Sequence, residues 1–263
     1  MKKLFIISLT ICFTLPSFAQ KLKFSKHQPV RENDIMWKKT IWRHVDFDKN
    51  ENVLFSKGKN SLTSNILNYV EEGKLVIYTS DSLLPESAIS LDKLNKNLEI
   101  PGSCNGKFQD EYDEDSLELV NCKSYYKAED LTEMEIKEVY VFDKQHSRMV
   151  IQPVALTFFV SAAHPLNTYG FQIPVLSVDF VALENLEADT GSKNWFNPIN
   201  EQNSLSYSEA IQLRLYHGEV AKINNPWDEY LDEYMSEEQA FWTGVNIDNQ
   251  LREYEYGLWV DHP

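Results

Sequence analysis

Glycine and cysteine are scarce in this chain of 263 residues, which contains nine glycines and three cysteines. None of the glycines forms a Gly-x-Gly-x-x-Gly or Walker pattern, the arrangements that cradle phosphate groups, and this argues against nucleotide chemistry. The chain also lacks the Gly-x-Ser-x-Gly turn that exposes a nucleophilic serine, and its six histidines are scattered singly. The sequence motifs therefore single out no catalytic residue and no cofactor, and a protein without enzymatic activity is the favoured interpretation.

Basic residues are too few to balance the acidic ones. Lysine and arginine number 25 against 40 aspartates and glutamates, which gives a formal net charge of −15 at pH 7. Such a surface repels phosphate backbones and anionic membrane surfaces, so nucleic acid is not expected as a partner. A basic protein segment is the natural complement.

Long apolar runs are absent except near the N-terminus, where two lysines precede residues 4–15. A run of about 12 residues is shorter than the ~20 that a helix needs to cross a bilayer, and with a small-residue exit it is typical of a cleavable signal peptide. We predict that residues 1–19 are removed by cleavage between Ala19 and Gln20. A lipid anchor is not expected, because Cys12 lies inside the apolar run and no cysteine follows the cleavage site directly.

Two cysteines, Cys104 and Cys122, remain in the predicted mature chain. An exported protein can oxidise such a pair, and we expect a disulfide that closes a loop of about 18 residues and contributes about 3 kcal/mol. Two semi-buried thiols are the alternative. The acidic run at 110–115 could offer oxygens to calcium, but it lacks the turn glycine and distal glutamate of an EF-hand loop, so a solvated loop is the favoured interpretation.

The patterns along the chain predict an exposed arm followed by one domain. Residues 20–33 are predicted to form the arm, which begins basic and polar without clear periodicity. Residues 34–263 are predicted to form the domain, within which 80–127 is irregular. The part around 100–127, which holds both cysteines, is predicted to be a surface excursion.

Local signals in the first half predict one helix among strands. Period-two alternation at 34–48 predicts a helical turn and then a strand. Ser61 and Gly73 are typical of the two caps of a helix, which residues 74–79 follow as a strand.

The second half is predicted to continue the sheet and then to become helical. A polar link at 143–147 between two β-rich runs predicts a hairpin, and 171–183 predicts another strand. Ser206 with Glu209 forms a capping box for a helix over 207–220, and Asn225-Pro226 opens a further helix. The predicted fold class is therefore α+β: an antiparallel sheet with a hairpin in the N-terminal and central parts, and helices concentrated towards the C-terminus.

Sites for metal or acid–base chemistry are weakly indicated. His44 and Asp46 share one face of a strand beside Trp42, but no third ligand is in view, so hydrogen bonding is the favoured role and no metal is predicted. The two carboxylates of a glycosidase come together in the fold and need not be close in the sequence, so a secreted hydrolase stays an alternative function. A periplasmic binding module is a further alternative. Aromatic residues make up 13% of the chain, and on acidic helices they suit protein interfaces as well as a core.

Several local patterns, taken together, resemble the GldN family, also called PorN, of the type IX secretion system. The four blocks run in the family's order from about residue 34 to residue 259. They are Asp34-Ile35-Met36-Trp37-Lys38-Lys39 with Trp42-Arg43 and Val45-Asp46; Gly73-Lys74-Leu75 with Tyr78; Ile136-Lys137-Glu138 with Val141-Phe142-Asp143-Lys144-Gln145-His146-Ser147; and Trp195-Phe196-Asn197-Pro198-Ile199-Asn200 with Leu205-Ser206-Tyr207, Arg214, Lys222, Asn224-Asn225 and Tyr256-Gly257-Leu258-Trp259.

The resemblance implies a periplasmic, non-enzymatic subunit at the inner face of the outer membrane. It implies self-association in a ring with an outer-membrane lipoprotein of the GldK or PorK kind, and contact with a motor component of the GldM or PorM kind. Such a ring belongs to a machine that exports proteins and, in gliding cells, helps to drive surface adhesins. The interface candidates that the resemblance implies are Trp37, Lys38, Trp42, Arg43, Asp46, Phe142, Asp143, Lys144, Phe196, Asn197, Pro198, Arg214 and Trp259.

Overall fold

The computed structural model describes residues 30–101, 123–196 and 204–260, and these are organised around one antiparallel sheet. Its strands are β1 (Ile35–Asp46), β2 (Ile77–Tyr78), β3 (Ala88–Ile89), β4 (Glu133–Asp143), β5 (Arg148–Val160), β6 (Ile173–Asp179) and β7 (Glu219–Ile223). The spatial order is β3-β2-β6-β5-β4-β1-β7. The helices are α1 (Leu62–Glu71), α2 (Leu91–Leu98), α3 (Phe180–Thr190), α4 (Tyr207–Gln212), α5 (Leu231–Tyr234) and α6 (Glu237–Val260). This architecture confirms the predicted α+β fold.

The predicted hairpin forms the middle of the sheet. β4 and β5 pair along their whole length, and the polar link at 144–147 joins them. β1 pairs with β4 from Ile35 opposite Asp143 to Asp46 opposite Glu133. The three longest strands therefore lie side by side, and β7 pairs with the free side of β1.

Two hydrophobic clusters cover opposite ends of the same face of this sheet. Successive residues of a strand face opposite sides, so Ile41, Arg43 and Val45 share one face. Val45 packs in the larger cluster, beneath α1, α3 and α4. Ile41 packs in the smaller cluster with apolar side chains of α5 and α6. The charged Arg43 consequently lies at the boundary between two apolar cores.

The caps predicted for α1 are confirmed, whereas the strand after it is shorter than predicted. Ser61 Oγ accepts a hydrogen bond from the backbone N–H of Ser64 at 3.3 Å, and Gly73 adopts the left-handed conformation with φ of 68°. The predicted strand at 74–79 is reduced to Ile77–Tyr78. The prediction of an irregular stretch after it was wrong in part, because β3 and α2 occupy residues 88–98.

The strand predicted at 171–183 ends at Asp179, because this side chain begins a helix instead. Its Oδ1 accepts a hydrogen bond from the backbone N–H of Val181 at 3.0 Å, which caps the N-terminus of α3. The sequence patterns did not predict α3.

The two helices predicted after residue 205 also have different extents. The capping box of Ser206 and Glu209 is present, but α4 ends at Gln212 and β7 occupies the end of the predicted helix. Asn225 does not begin a helix, because its Oδ1 accepts hydrogen bonds at 3.1 Å from the backbone N–H groups of Trp227 and Glu229 and holds a turn. α5 begins only at Leu231.

The ends of the 102–122 segment lie side by side. The backbone N–H of Ile100 donates to the carbonyl of Ser124 at 2.9 Å, and that of Tyr126 donates to the carbonyl of Leu98 at 2.8 Å. The segment itself, with Cys104 and Cys122, lies outside the described residues. Within the described residues, no helix combines the length and the hydropathy that a membrane span requires.

Candidate functional site

A charged network around Glu138 occupies the boundary between the two cores. Glu138 is fully buried, and it accepts hydrogen bonds from Arg214 Nη2 at 2.7 Å and from Arg43 Nε at 3.4 Å. The hydroxyl groups of Tyr216 and Tyr140 also donate to this carboxylate, at 2.7 and 3.2 Å. Buried charges are tolerated when they are paired and hydrogen-bonded, and Glu138 meets both conditions.

Arg43 extends this network from β1 to α6. Its Nη1 and Nη2 donate to the two carboxylate oxygens of Asp248 at 2.9 and 2.7 Å, which is the bidentate geometry that guanidinium groups favour. Nη1 also donates to the carbonyl of Gly218 at 3.1 Å. A Cβ at position 218 would lie 2.9 Å from the Arg43 side chain, so only glycine leaves room for this arginine.

Arg214 reaches the same carboxylate from an unusual backbone position. It follows α4 with φ of 55°, in the left-handed region that glycine normally occupies at a helix C-terminus. The backbone N–H of Leu215 donates to the carbonyl of Ala210, and that of Arg214 donates to the carbonyl of Ile211, which completes a Schellman motif. Arginine at such a site costs about 1 kcal/mol relative to glycine. The guanidinium contacts with Glu138 and Tyr140 offset this cost.

The electrostatics of the network favour the charged forms of Arg43 and Asp248 and the neutral form of Tyr140. Burial alone would lower the pKa of Arg43, but the hydrogen bond with Asp248 and the charge of Glu138 raise it above its ordinary value. Burial likewise opposes ionisation of Asp248, but Arg43 lowers its pKa below the ordinary value. Burial and the charge of Glu138 raise the pKa of Tyr140 to about 12, which keeps its hydroxyl protonated as a donor.

The opposite face of the sheet carries a second polar cluster around Trp42. Its indole Nε1 donates to Asp81 Oδ2 at 2.6 Å, and Lys137 Nζ forms an ion pair with the same aspartate at 3.1 Å. Lys222 Nζ lies 4.7 Å from the Trp42 ring centroid and 4.8 Å from that of Tyr230. The two clusters therefore hold β1 on both faces, at Trp42 and Arg43.

Two clefts flank the junction of β7 and α6. One of about 410 Å³ lies over the Glu138 network and is lined by Arg43, Arg214 and Arg252, among others. The other, of about 560 Å³, is lined by His44, Glu135 and acidic residues of α5 and α6. Both are walled by Val220 and Phe241.

Glu135 is the chemically notable residue of the larger cleft. Burial raises its pKa to about 7, although Tyr230 donates a hydrogen bond to it at 3.2 Å. A glycosidase needs two carboxylates in complementary roles, so this one group does not establish hydrolysis. Among the described residues, no group of three or more His, Cys, Asp or Glu side chains could hold a metal ion.

A family model described as "Gliding motility associated protein GldN" matches residues 30–260 of the chain. The chain belongs to the GldN family. This membership confirms the resemblance found in the sequence and associates the chain with gliding motility. A comparison with curated proteins finds no match.

The fold brings together residues from separate blocks of the GldN-like pattern. Arg43 from the first block, Glu138 from the hairpin block and Arg214 from the last meet in one network. The sequence patterns singled out both arginines but not Glu138, although it belongs to a quoted block. Tyr216 and Asp248 were also missed, since their spacing from the blocks gives no local signal.

The hairpin candidates organise a turn. Asp143 Oδ1 accepts hydrogen bonds from the backbone N–H groups of Gln145 and His146, and its Oδ2 pairs with His146 Nδ1 at 2.6 Å. Burial opposes ionisation of Asp143, but the bonds from His146 and Gln145 lower its pKa. Phe142 is buried, and Lys144 is exposed at the tip.

The remaining candidates do not join the network. Trp37 stacks on Tyr254 of α6 with ring centroids 5.2 Å apart, and Asp46 Oδ1 accepts a hydrogen bond from the backbone N–H of Asp48. Lys38 and Phe196 are exposed. The other predicted sites lie outside the described residues, namely Ala19, Gln20, Asn197, Pro198 and the Cys104–Cys122 pair. The side chain of Trp259 also lies outside them.

Proposed function

We propose that this chain is a non-enzymatic structural subunit of the type IX protein secretion and gliding motility machinery. It resides in the periplasm at the inner face of the outer membrane. It forms a ring by self-association together with a lipoprotein of the GldK or PorK kind, and it contacts a motor component of the GldM or PorM kind. The observation that carries this proposal is the match of the GldN family over residues 30–260.

The geometry supports a load-carrying role. Hydrogen bonds of the Glu138 network join β1, β4, α6 and the segment after α4, across sequence separations of 76 to 205 residues. Bidentate and charge-assisted bonds fix the relative position of these elements more strictly than apolar packing alone. Hydrogen bonds that connect distant segments in this way suit a subunit that transmits force between partners.

The predicted signal peptide supports the proposed location, because a periplasmic protein must first be exported. Exposed aromatic side chains, among them Trp227 and Trp242, offer surfaces for contacts with partner proteins.

Deletion of the gene tests the proposal. We expect loss of protein export to the cell surface, loss of gliding where the host glides, and recovery of both on complementation. A tagged chain is expected to co-purify with the lipoprotein and to leave the outer-membrane fraction when the lipoprotein gene is deleted. Normal export and motility in the deletion strain, with no co-purifying lipoprotein, would refute the proposed function.

A further inference from the structure

Two parts of the chain have opposite and unmixed charge. Residues 224–251 contain seven acidic residues and no lysine or arginine. Residues 20–31, which we call the basic arm, contain four lysines or arginines and no acidic residue. In a chain with a net charge of −15, such a segregated basic stretch stands apart from its background.

The acidic stretch also exposes large aromatic side chains. Trp227 is 75% exposed, Trp242 61%, Tyr234 51% and Phe241 43%. Phe241 and Trp242 lie in the first turns of α6 with ring centroids 5.4 Å apart. We call the surface formed by Asp232, Glu237, Glu238 and Phe241 around the larger cleft, together with the adjacent Trp242, the acidic–aromatic surface.

This combination of side chains suits lysine and arginine in particular. A carboxylate pairs with the cationic group, while an aromatic face binds the cation and packs against its aliphatic stem. The protein already contains an example nearby, since Lys222 lies over the rings of Trp42 and Tyr230. We propose that the basic arm of one copy docks on the acidic–aromatic surface of a neighbouring copy.

The position of the two parts favours a neighbour over the same molecule. The arm leads into β1 at Ile35, whereas Glu237, Glu238 and Phe241 line the cleft beside His44, near the other end of β1. Nine residues of strand separate Ile35 from His44, which is about 30 Å. The Cα of Lys26, four residues before Val30, lies at most about 14 Å from that of Val30, so the distance along β1 favours a neighbouring copy for this lysine. Lys23 has a longer reach, and the trapping experiment below separates the two copies for it. In a second copy no such limit applies.

A donor at one end of the subunit and an acceptor at the other produce a heterologous contact. Contacts of this kind close into rings or continue as open filaments, and they do not stop at a two-fold dimer. The inference therefore rests on the proposed ring-forming role, and it goes beyond that role by naming the two segments that meet.

Disulfide trapping tests the contact in the full exported chain. Cys104 and Cys122 are first replaced with serine, and Lys23→Cys and Glu238→Cys are then introduced together. Under mild oxidation we expect a ladder of dimers and larger species on a non-reducing gel. Equal amounts of the two single variants, mixed, are expected to give a trapped dimer. If the only product is a disulfide within one monomer, or if no disulfide forms, the proposal is overturned.

The matched control pairs Glu238→Cys with Lys59→Cys, an exposed lysine elsewhere on the protein, and no ladder is expected. An equal ladder from this control would mean random collision and would also overturn the proposal.

Charge reversal tests specificity. Lys21→Glu, Lys23→Glu and Lys26→Glu together are expected to reduce self-association about tenfold, the combined effect of three exposed ion pairs. The same reduction in self-association is expected from Asp232→Lys, Glu237→Lys and Glu238→Lys together. A chain that carries both sets of substitutions is expected to self-associate as the wild type does. The control set Lys57→Glu, Lys59→Glu and Lys93→Glu changes the net charge equally and is expected to have no effect. Equal loss in all three sets, or no rescue, would refute docking.

The two proposals fail in distinguishable ways. If the arm-reversed chain restores export to a deletion strain and still forms full-sized assemblies, the docking inference is wrong and the proposed function stands. If the deletion strain exports normally, the proposed function is wrong whatever the trapping shows.

Discussion

Arg43 and Asp248 form a two-pronged ion pair although 205 residues separate them in the sequence. The pair joins the centre of β1 to the middle of α6, the last described helix. Beneath it, Glu138 accepts from both Arg43 and Arg214, so two arginines share two carboxylates. The position of α6 therefore depends on a balanced charge network as well as on the apolar side chains of the smaller cluster.

Neutralising the central carboxylate is expected to destabilise the whole subunit. Glu138→Gln keeps the shape of the side chain but leaves Arg43 and Arg214 with Asp248 as the remaining carboxylate of the network, so Arg214 loses its ion pair. Breaking a buried pair in this way costs about 3–5 kcal/mol. Urea denaturation followed by circular dichroism measures the change.

The control for this substitution is Glu253→Gln on the exposed side of α6, for which a change within about 0.5 kcal/mol is expected. A stability of Glu138→Gln within about 1 kcal/mol of wild type would contradict a structural role for the network.

Three substitutions separate backbone strain from ion pairing at Arg214. Arg214→Ala loses the ion pair and keeps a side chain in the left-handed conformation, whereas Arg214→Gly loses the pair but relieves the strain. We expect Arg214→Gly to be the more stable of the two by about 1 kcal/mol. Arg214→Lys retains a charge but not the planar donors, so we expect partial recovery only. Equal stability of the glycine and alanine variants would show that the backbone is not strained.

Gly244 allows α6 to approach the edge of the sheet. A Cβ at this position would lie 2.7 Å from the backbone oxygen of Val220 in β7. Gly244→Ala is therefore expected to destabilise the protein by about 1–3 kcal/mol, the usual cost of overpacking, despite the better helix propensity of alanine. Thermal or urea unfolding measures this effect.

Gly257 provides the matched control, because it lies in the same helix and a Cβ at this position would meet nothing within 4 Å. Gly257→Ala is expected to be neutral or to stabilise by up to about 1 kcal/mol. If both alanine variants behave alike, close contact between α6 and β7 does not explain the glycine at 244.

Oxidation of Cys104 and Cys122 stays a prediction from the sequence alone. Mass spectrometry of the exported protein under denaturing conditions, with a thiol reagent and without reductant, is expected to show no adduct on either cysteine. After reduction, both are expected to react. Adducts on both cysteines before reduction would refute the disulfide.

Local sequence signals predicted those elements whose ends are determined by local contacts. Ser61 and Gly73 bracket α1, and the capping box at Ser206 begins α4, because each cap bonds within a few residues of itself. The extent of α4 was not predicted, since arginine rarely fills the left-handed position that glycine usually marks. Arg214 adopts it because of contacts with β4, more than 70 residues away.

The candidate site was predicted only in part for the same reason. The GldN-like pattern identified Arg43 and Arg214 as candidate residues, but such a pattern contains no information about which residues contact each other. Glu138 lies in a strand where alternation predicts an inward side chain, but a buried carboxylate is recognisable only when its cationic partners are known. Asp248 lies in a helix rich in acidic residues, and its sequence neighbourhood does not distinguish it from the exposed ones.

The raised pKa of Glu135 predicts a pH-dependent loss of stability. Burial raises this pKa from the ordinary 4.5 to about 7, so the folded protein holds a proton that the unfolded chain releases. Between these two values the folded state binds more protons, and its stability therefore decreases as the pH rises. The stabilising effect of protonation is fully present below pH 4.5 and is lost as the pH rises through 7, with a total change of about 3 kcal/mol. Glu135→Gln mimics the protonated form and can still accept the hydrogen bond from Tyr230.

Urea denaturation of wild type and Glu135→Gln at a series of pH values between about 4.5 and 8 isolates this contribution, since the other titrating groups are common to both proteins. We expect the two stabilities to converge at the acidic end and Glu135→Gln to become the more stable protein as the pH rises. Glu237→Gln, at an exposed position in the same cleft, is expected to follow the wild-type curve. A constant difference between wild type and Glu135→Gln across the series would mean that Glu135 ionises without cost, and that the cleft is wetter around this carboxylate than its burial indicates.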